Sequence, residues 1–249
     1  MPIDVNVAEL KPLKNFGDGC PGCGTFLAMK LLLQTLDNVI IVNGTGSFTS
    51  YGRNLDVPFI HAGLNAAAVA RGVARGGVGR TVVFAGDGAT AINIGALLHA
   101  KEDIIYICAN DQGYNSINHR LDRTFAKHLF NAAYVATASV SFPQDFITKL
   151  KKASALPGLK FIDVLTPCPA LWKYEPSNTI EVGRVAVETG IWPLYEIEDG
   201  AVALTKRPNR LEPVENFNHV QKSFHITKED GTQEKVAKSW KKLMEGHLF

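Results

Sequence analysis

Thr81-Val82-Val83-Phe84-Ala85, then Gly86-Asp87-Gly88, an apolar run over 89–101, Ile104-Ile105-Tyr106-Ile107-Cys108-Ala109, and the polar loop Asn110-Asp111-Gln112-Gly113-Tyr114-Asn115-Ser116 form the stretch that decides the fold. Two β-branched and aromatic runs flank a helical one, which reads as a βαβ unit. A right-handed crossover makes its strands parallel, so the loops after Ala85 and Ala109 open on one sheet edge and Asp87 and Asp111 can face one ligand. Gly86 and Gly88 let the backbone approach that ligand, and a helix starting near Ala89 aims free N–H groups at an anion there. Magnesium takes oxygen ligands and is commonly shared between carboxylates and phosphate, so a magnesium-bridged diphosphate suits the pattern. Gly-Asp-Gly alone is more often a plain turn. The second acidic loop at the next strand's end moves the reading toward a ligand.

Working outward, 249 residues with 46% hydrophobic content suffice for one large α/β domain with an appended arm, divided here as 1–205 and 206–249. The arm is more polar, alternates Lys with Glu, and carries a helix pattern over 234–245 with Phe217, Phe224 and Trp240 available for packing. A net charge of +2, without basic runs interleaved with aromatics, gives no reason to expect nucleic acid or an anionic membrane as partner. No stretch reads as a transmembrane segment, and the start lacks a basic region followed by an apolar core, so the expected location is the cytoplasm.

The cysteines at 20, 23, 108 and 168 are too few and too unevenly placed for a disulfide scaffold. Cys20-Pro21-Gly22-Cys23 can turn two thiols toward one metal centre, as zinc and iron–sulfur sites both require. Thioredoxin-type exchange ranks below these, because no strand precedes Cys20. Cys168, in Thr166-Pro167-Cys168-Pro169 at a strand's carboxyl end, is where a third cluster ligand would come from.

A helix over 25–36 leads to a strand over 39–42 and the loop Asn43-Gly44-Thr45-Gly46-Ser47, either a close approach to a ligand or a turn. His61 leads into an alanine-rich helix over 62–74 that holds Asn65, and is a polar contact near the site or a structural histidine. Further elements are a charged helix over 121–131, strands over 134–137 and 161–165, a helix opened by Pro143, a helix with Asn178 and Glu181 at its start closed by Gly190, and a hairpin through Asp199-Gly200.

Cys20-Pro21-Gly22-Cys23-Gly24, Gly86-Asp87-Gly88, Tyr106-Ile107-Cys108, Ala136-Thr137-Ala138-Ser139, Pro167-Cys168-Pro169 and Glu188-Thr189-Gly190-Ile191-Trp192-Pro193-Leu194-Tyr195-Glu196, in this order, resemble the beta subunit of pyruvate (2-oxoacid):ferredoxin oxidoreductase. The resemblance implies a parallel-sheet thiamine-diphosphate-binding fold that holds the diphosphate and Mg²⁺, beside a 4Fe-4S iron–sulfur cluster. It implies oxidative decarboxylation of a 2-oxoacid, pyruvate first, to an acyl-CoA with electrons passed to ferredoxin. By position, Asp87, Asp111 and the Gly113 carbonyl hold magnesium, and Cys20, Cys23 and Cys168 hold the cluster, with Ser47 where the family has a fourth cysteine. Gly44, Thr45, Gly46, His61, Asn65, Gly86, Gly88 and Tyr114 join Asp87 and Asp111 as cofactor-binding candidates, and Asn115 and Ser116 are the catalytic candidates in a loop shorter than the family's. An alpha subunit would supply the glutamate that activates thiamine, and gamma- and delta-type subunits complete the complex. The alternatives are a thiamine-dependent decarboxylase subunit without its cluster, and a zinc-bearing, non-enzymatic assembly subunit.

Overall fold

A computed structural model describes residues 19–49, 55–113, 125, 129, 132–208, 210–224 and 231–247. The βαβ unit forms as expected, with β3 (Arg80–Gly86), α3 (Asp87–Leu97) and β4 (Ile104–Asn110). The helix takes in Asp87 itself and stops four residues short of the sequence pattern's end. Around this unit lie α1 (Gly24–Thr35), β1 (Val39–Gly44), β2 (Phe59–Gly63), α2 (Ala66–Arg75), β5 (Tyr134–Ser139), α4 (Pro143–Ala155) and β6 (Leu159–Leu165). The C-terminal part adds α5 (Pro169–Trp172), α6 (Thr179–Glu188), the hairpin β7 (Tyr195–Glu198) and β8 (Ala201–Leu204), α7 (Asn216–Val220) and α8 (Thr232–Met244).

The eight strands form one sheet in the order β2-β1-β3-β4-β6-β5-β7-β8. The first six run parallel, while β7 and β8 are antiparallel additions at the edge. Helices cover both faces, so β4 and β6 are buried throughout; β4 reads as a run of apolar residues up to Ala109, while β6 buries Lys160 and Asp163 among apolar ones. Val82 and Phe84 of β3 pack toward α1 and α4, whereas Val83 and Ala85 pack toward α2 and α3. The parallel register is what places the site, because it brings the carboxyl ends of β1, β3, β4 and β6 to one edge.

Two local readings change. His61 and Ala62 lie in β2, an edge strand, and the alanine-rich helix begins only at Ala66. Phe59–Gly63 is half exposed at the sheet edge, so it lacks the alternation that marks a strand in sequence. At α6, Asn178 occupies the cap position without a capping side-chain bond, while Gly190 closes the region at φ 75°. The helix expected over 121–131 lies outside the described residues, apart from single positions.

The C-terminal segment packs on the rest of the chain. Phe217 and Phe224 meet Trp172 edge-on at ring centroid distances of 5.6 Å and 5.1 Å, and Leu243 of α8 is buried with the α2 and α3 core. Among the described residues no helix is long and apolar enough to cross a membrane.

Candidate functional site

Asp87 is buried in the first turn of α3, where its Oδ1 accepts from the Gly88 N–H at 2.8 Å. No side chain caps this helix. Apart from the Gly88 N–H that Asp87 holds, its first-turn N–H groups receive no side-chain cap, the arrangement a helix N-terminus offers a phosphate. Gly86 pairs with Ala109 in the β3–β4 register, so Asp87 and Asn110 stand one step beyond adjacent strand ends and Asp111 follows.

The Asp111 carboxylate is held from two sides. Its Oδ1 accepts from the Gly113 N–H at 2.8 Å and its Oδ2 from the Ser47 hydroxyl at 3.1 Å. Burial pushes its pKa up, and the two donors oppose that push. A carboxylate kept partly desolvated beside a helix N-terminus is a fit donor for a hard cation, which would offset the burial. The Asp111 carbonyl accepts from the Trp172 indole N–H at 2.7 Å, so the backbone here is fixed as well.

The loop after β1 crosses the start of α3 at close range. The Gly86 N–H donates to the Thr45 carbonyl at 3.1 Å, and a Cβ on Gly46 would lie 2.8 Å from the Gly86 nitrogen. The glycine at 46 is thus required by loop-to-loop contact, and a Cβ on Gly86 would press on Gly46 at 3.1 Å. Gly44 is buried beneath this crossing, while Thr45 and Ser47 are exposed. His61 and Asn65 are exposed on the same side, and Asn43 Nδ2 donates to His61 Nδ1 at 3.0 Å. Tyr114, Asn115 and Ser116 lie outside the described residues.

The cysteine corner borders this loop edge. Cys23 caps α1, its sulfur accepting from the Phe26 N–H at 3.4 Å. The Gly24 N–H donates to the Pro167 carbonyl at 3.1 Å, which ties the Cys20–Cys23 turn to the loop carrying Cys168. Gly22 makes the turn at φ 68° and packs so tightly that a Cβ there would collide with the Pro176 carbonyl. Burial raises the Cys23 and Cys168 pKa values, and mutual interaction with each other or with Cys20 adds to the rise. The three thiols thus share one neighbourhood, and Asp111 is near enough to raise Cys168 further. Soft thiols suit iron or zinc by donor type. Among the described residues, however, no three His, Cys, Asp or Glu side chains are gathered around a point that can hold a metal ion. Cys108, the fourth cysteine, is buried on β4 well inside the sheet.

Comparison with known proteins follows the same residues. The family described as thiamine pyrophosphate enzyme, C-terminal TPP binding domain, matches residues 59–164, which span β2 through β6. The pyruvate synthase subunit PorB of Methanothermobacter marburgensis is 40% identical over 85% of this chain and 89% of its own length. The chain belongs to the beta subunits of 2-oxoacid:ferredoxin oxidoreductases. This beta subunit is also 30% identical to the ketoisovalerate oxidoreductase subunit VorB of Pyrococcus abyssi over 98% of the chain and 97% of the relative. In fold it is similar to a 2-oxoglutarate:ferredoxin oxidoreductase from Magnetococcus marinus, with a TM-score of 0.54 and 18% identity over 73% of this chain and 81% of that one. It is thus an enzyme subunit with a thiamine-diphosphate-binding domain, and the names of its relatives place it in a multi-subunit assembly.

Sequence reading missed how Asp111 is held. Ser47 and Trp172 reach Asp111 from 64 and 61 residues away, and no spacing in the sequence links either of them to it.

Proposed function

We propose that the beta subunit binds the diphosphate and magnesium of thiamine diphosphate at the carboxyl edge of its sheet. Asp87, Asp111 and the Gly113 carbonyl hold magnesium, and the N-terminus of α3 receives the diphosphate. Gly44, Thr45, Gly46, His61, Asn65, Gly86, Gly88 and Tyr114 line the cofactor, and Asn115 and Ser116 reach the substrate. The observation that carries this reading is the uncapped N-terminus of α3 beginning at Asp87, beside a desolvated Asp111 carboxylate.

Thiamine diphosphate, when bound, supplies the carbon that adds to a 2-oxoacid carbonyl and accepts the electrons left by loss of CO₂. The chain's own part is to hold the cofactor and to keep Asp111 aimed through Ser47 and Gly113. The alpha subunit supplies the activating glutamate, so the isolated beta subunit is inert. The product is an acyl-CoA, and the names of the relatives favour pyruvate, with branched 2-oxoacids second. Electrons leave toward ferredoxin, with gamma- and delta-type subunits in the complex.

Cys20, Cys23 and Cys168 are the cluster ligands of this reading, and the fourth position falls to Ser47, to water or to an outside ligand. Ser47 already donates to Asp111. An oxygen-ligated iron would be more labile than one held by thiolates alone. A second reading, a decarboxylase subunit without its cluster, draws on the thiols' lack of convergence.

Magnesium-dependent calorimetric titration with thiamine diphosphate, together with iron and sulfide analysis and electron paramagnetic resonance on anaerobic protein, tests both. Saturable cofactor binding with a cluster signal that rises in the Ser47→Cys variant supports the first. Binding with near-zero iron in both proteins moves the function to the second, and absence of magnesium-dependent binding removes both.

A further inference from the structure

Asp163 lies on β6 in the middle of the sheet and is fully buried. A carboxyl there is costly unless each oxygen finds a donor. One oxygen, Oδ1, accepts from the Asn110 Nδ2 at 3.0 Å, and the other, Oδ2, accepts from the Phe125 backbone N–H at 3.0 Å. Asn110 closes β4 immediately before Asp111, Gln112 and Gly113, and Phe125 lies fifteen residues beyond Asn110 along the chain. One carboxyl therefore accepts from a residue on each side of Asp111 in the sequence, Asn110 before it and Phe125 after it.

The departing side is set further by Asn110. Its Oδ1 accepts from the Gln112 backbone N–H at 3.1 Å and from the Gln112 Nε2 at 3.0 Å. Gln112 stands at φ 59°, in the left-handed region that a side chain larger than glycine enters only when its surroundings hold it there. It is also buried, and its Oε1 has no hydrogen-bond partner among the described residues. The conformation that turns Asp111 outward thus depends on Asn110, and Asn110 is oriented by Asp163.

We propose that Asp163 is a positioning residue that clasps the Asp111 loop at both ends and so sets the geometry in which Asp111 meets the metal. This inference rests on the magnesium reading for its consequence, while the clasp itself stands on hydrogen bonds within the chain. Asp163 is too deep to touch the cofactor and acts through Asn110 and the backbone. Protonation leaves each carboxyl oxygen a lone pair, so the clasp survives it. An amide nitrogen has none to offer, and Asp163→Asn must set a donor against either Asn110 or Phe125.

The test follows from that polarity. Pairing Asp163→Asn with Asn110→Asp reverses the donor and acceptor between the two side chains, keeps the acceptor for Gln112, and keeps an oxygen for Phe125. Amide hydrogen exchange in the cofactor-free full chain is read at Gln112 and Phe125, with magnesium-dependent thiamine diphosphate titration alongside. Asp163→Asn is expected to speed exchange at both amides by about tenfold or more and to weaken cofactor binding by a similar factor, as a buried donor left unpaired would do. The exchanged pair is expected to return both readings to within about threefold of the parent, a rescue that loss of general packing would not give. Should Asp163→Asn not fold, the exchanged pair and Asn110→Ala, which cuts only the departing arm, are compared instead. A folded exchanged pair with fast exchange at Phe125, or unaltered exchange at both amides in Asp163→Asn or at Gln112 in Asn110→Ala, overturns the clasp. Slowed exchange in a parent that binds no cofactor would keep the clasp and remove the magnesium reading instead.

Discussion

Asp87 and Asp111 stand at the ends of neighbouring strands, yet they are held in unlike ways. Asp87 is placed by its own surroundings. It follows β3, opens α3, and its Oδ1 accepts from the N–H of the next residue, Gly88. Asp111 is placed by distant parts of the chain: Ser47 after β1, Trp172 after β6, and the Asn110–Asp163 pair across β4 and β6. A locally built ligand tolerates change elsewhere, whereas a ligand built from long-range contacts inherits the stability of every element that supports it.

The sharpest way to break the comparison is Asp87→Asn. The amide oxygen can still accept from Gly88, so thermal unfolding should stay within a few degrees of the parent, while magnesium-dependent thiamine diphosphate binding disappears because a charged ligand is lost. Titration calorimetry beside a melting curve reads both, and unchanged affinity would take Asp87 out of the site.

Trp172→Ala should act through stability instead. Removing a fully buried indole packed against Phe217 and Phe224 is expected to lower unfolding free energy by about 3–5 kcal/mol in urea denaturation. Trp172→Phe keeps most of the ring and loses the N–H bonded to the Asp111 carbonyl, so about 1–2 kcal/mol is expected. Its cofactor affinity should fall further than that of an equally destabilised variant distant from the loop.

Asp163 gives the comparison a pH dependence. Burial, with a further push from the charge of Asp87, raises its pKa to about 7, against the donors Asn110, Phe125 and the Cys108 thiol. The unfolded group titrates near ~4, so between ~4 and about 7 the folded chain keeps a proton that the unfolded chain has released. Its stabilising contribution is therefore full below pH ~4 and is lost as pH rises to about 7, by up to roughly 4 kcal/mol. Unfolding measured across this range in the parent and in Asp163→Asn should show the slope flattened in the variant, and parallel curves would refute the assignment.

Ser47→Ala should have the smallest effect. The hydroxyl is exposed and contributes one hydrogen bond, so less than ~1 kcal/mol of stability and a few-fold change in cofactor affinity are expected. A change as large as that of Asp87→Asn would show that the contact does more than aim Asp111.

The same contrast explains what could be read from the residues alone. Strands buried on both faces announce themselves as runs such as Ile104-Ile105-Tyr106-Ile107, and Gly86-Asp87-Gly88 reads as a ligand candidate only together with the second acidic loop at Asp111. The end of β2, Ala62 and Gly63, reads from sequence as the start of the alanine-rich helix, since an edge strand with half-exposed residues has no two-residue alternation to display beside an alanine run. Asp111 was legible as a candidate, but its supports were not, because no periodicity links Ser47, Asp163 and Trp172. Asp163 carried a usable signal: a single acid inside Phe161-Ile162-Asp163-Val164-Leu165 has to find partners when the strand is buried.

Trp172 joins the loop edge to the chain's last segment. Its indole nitrogen holds Asp111, and its ring is backed by Phe217 and Phe224. A tag, fusion or proteolytic cut that unseats the segment after β8 would thus reach the Asp111 loop without touching it. Relatives that end earlier would need another surface to back this indole, so chain length and the geometry of this loop should vary together across these beta subunits.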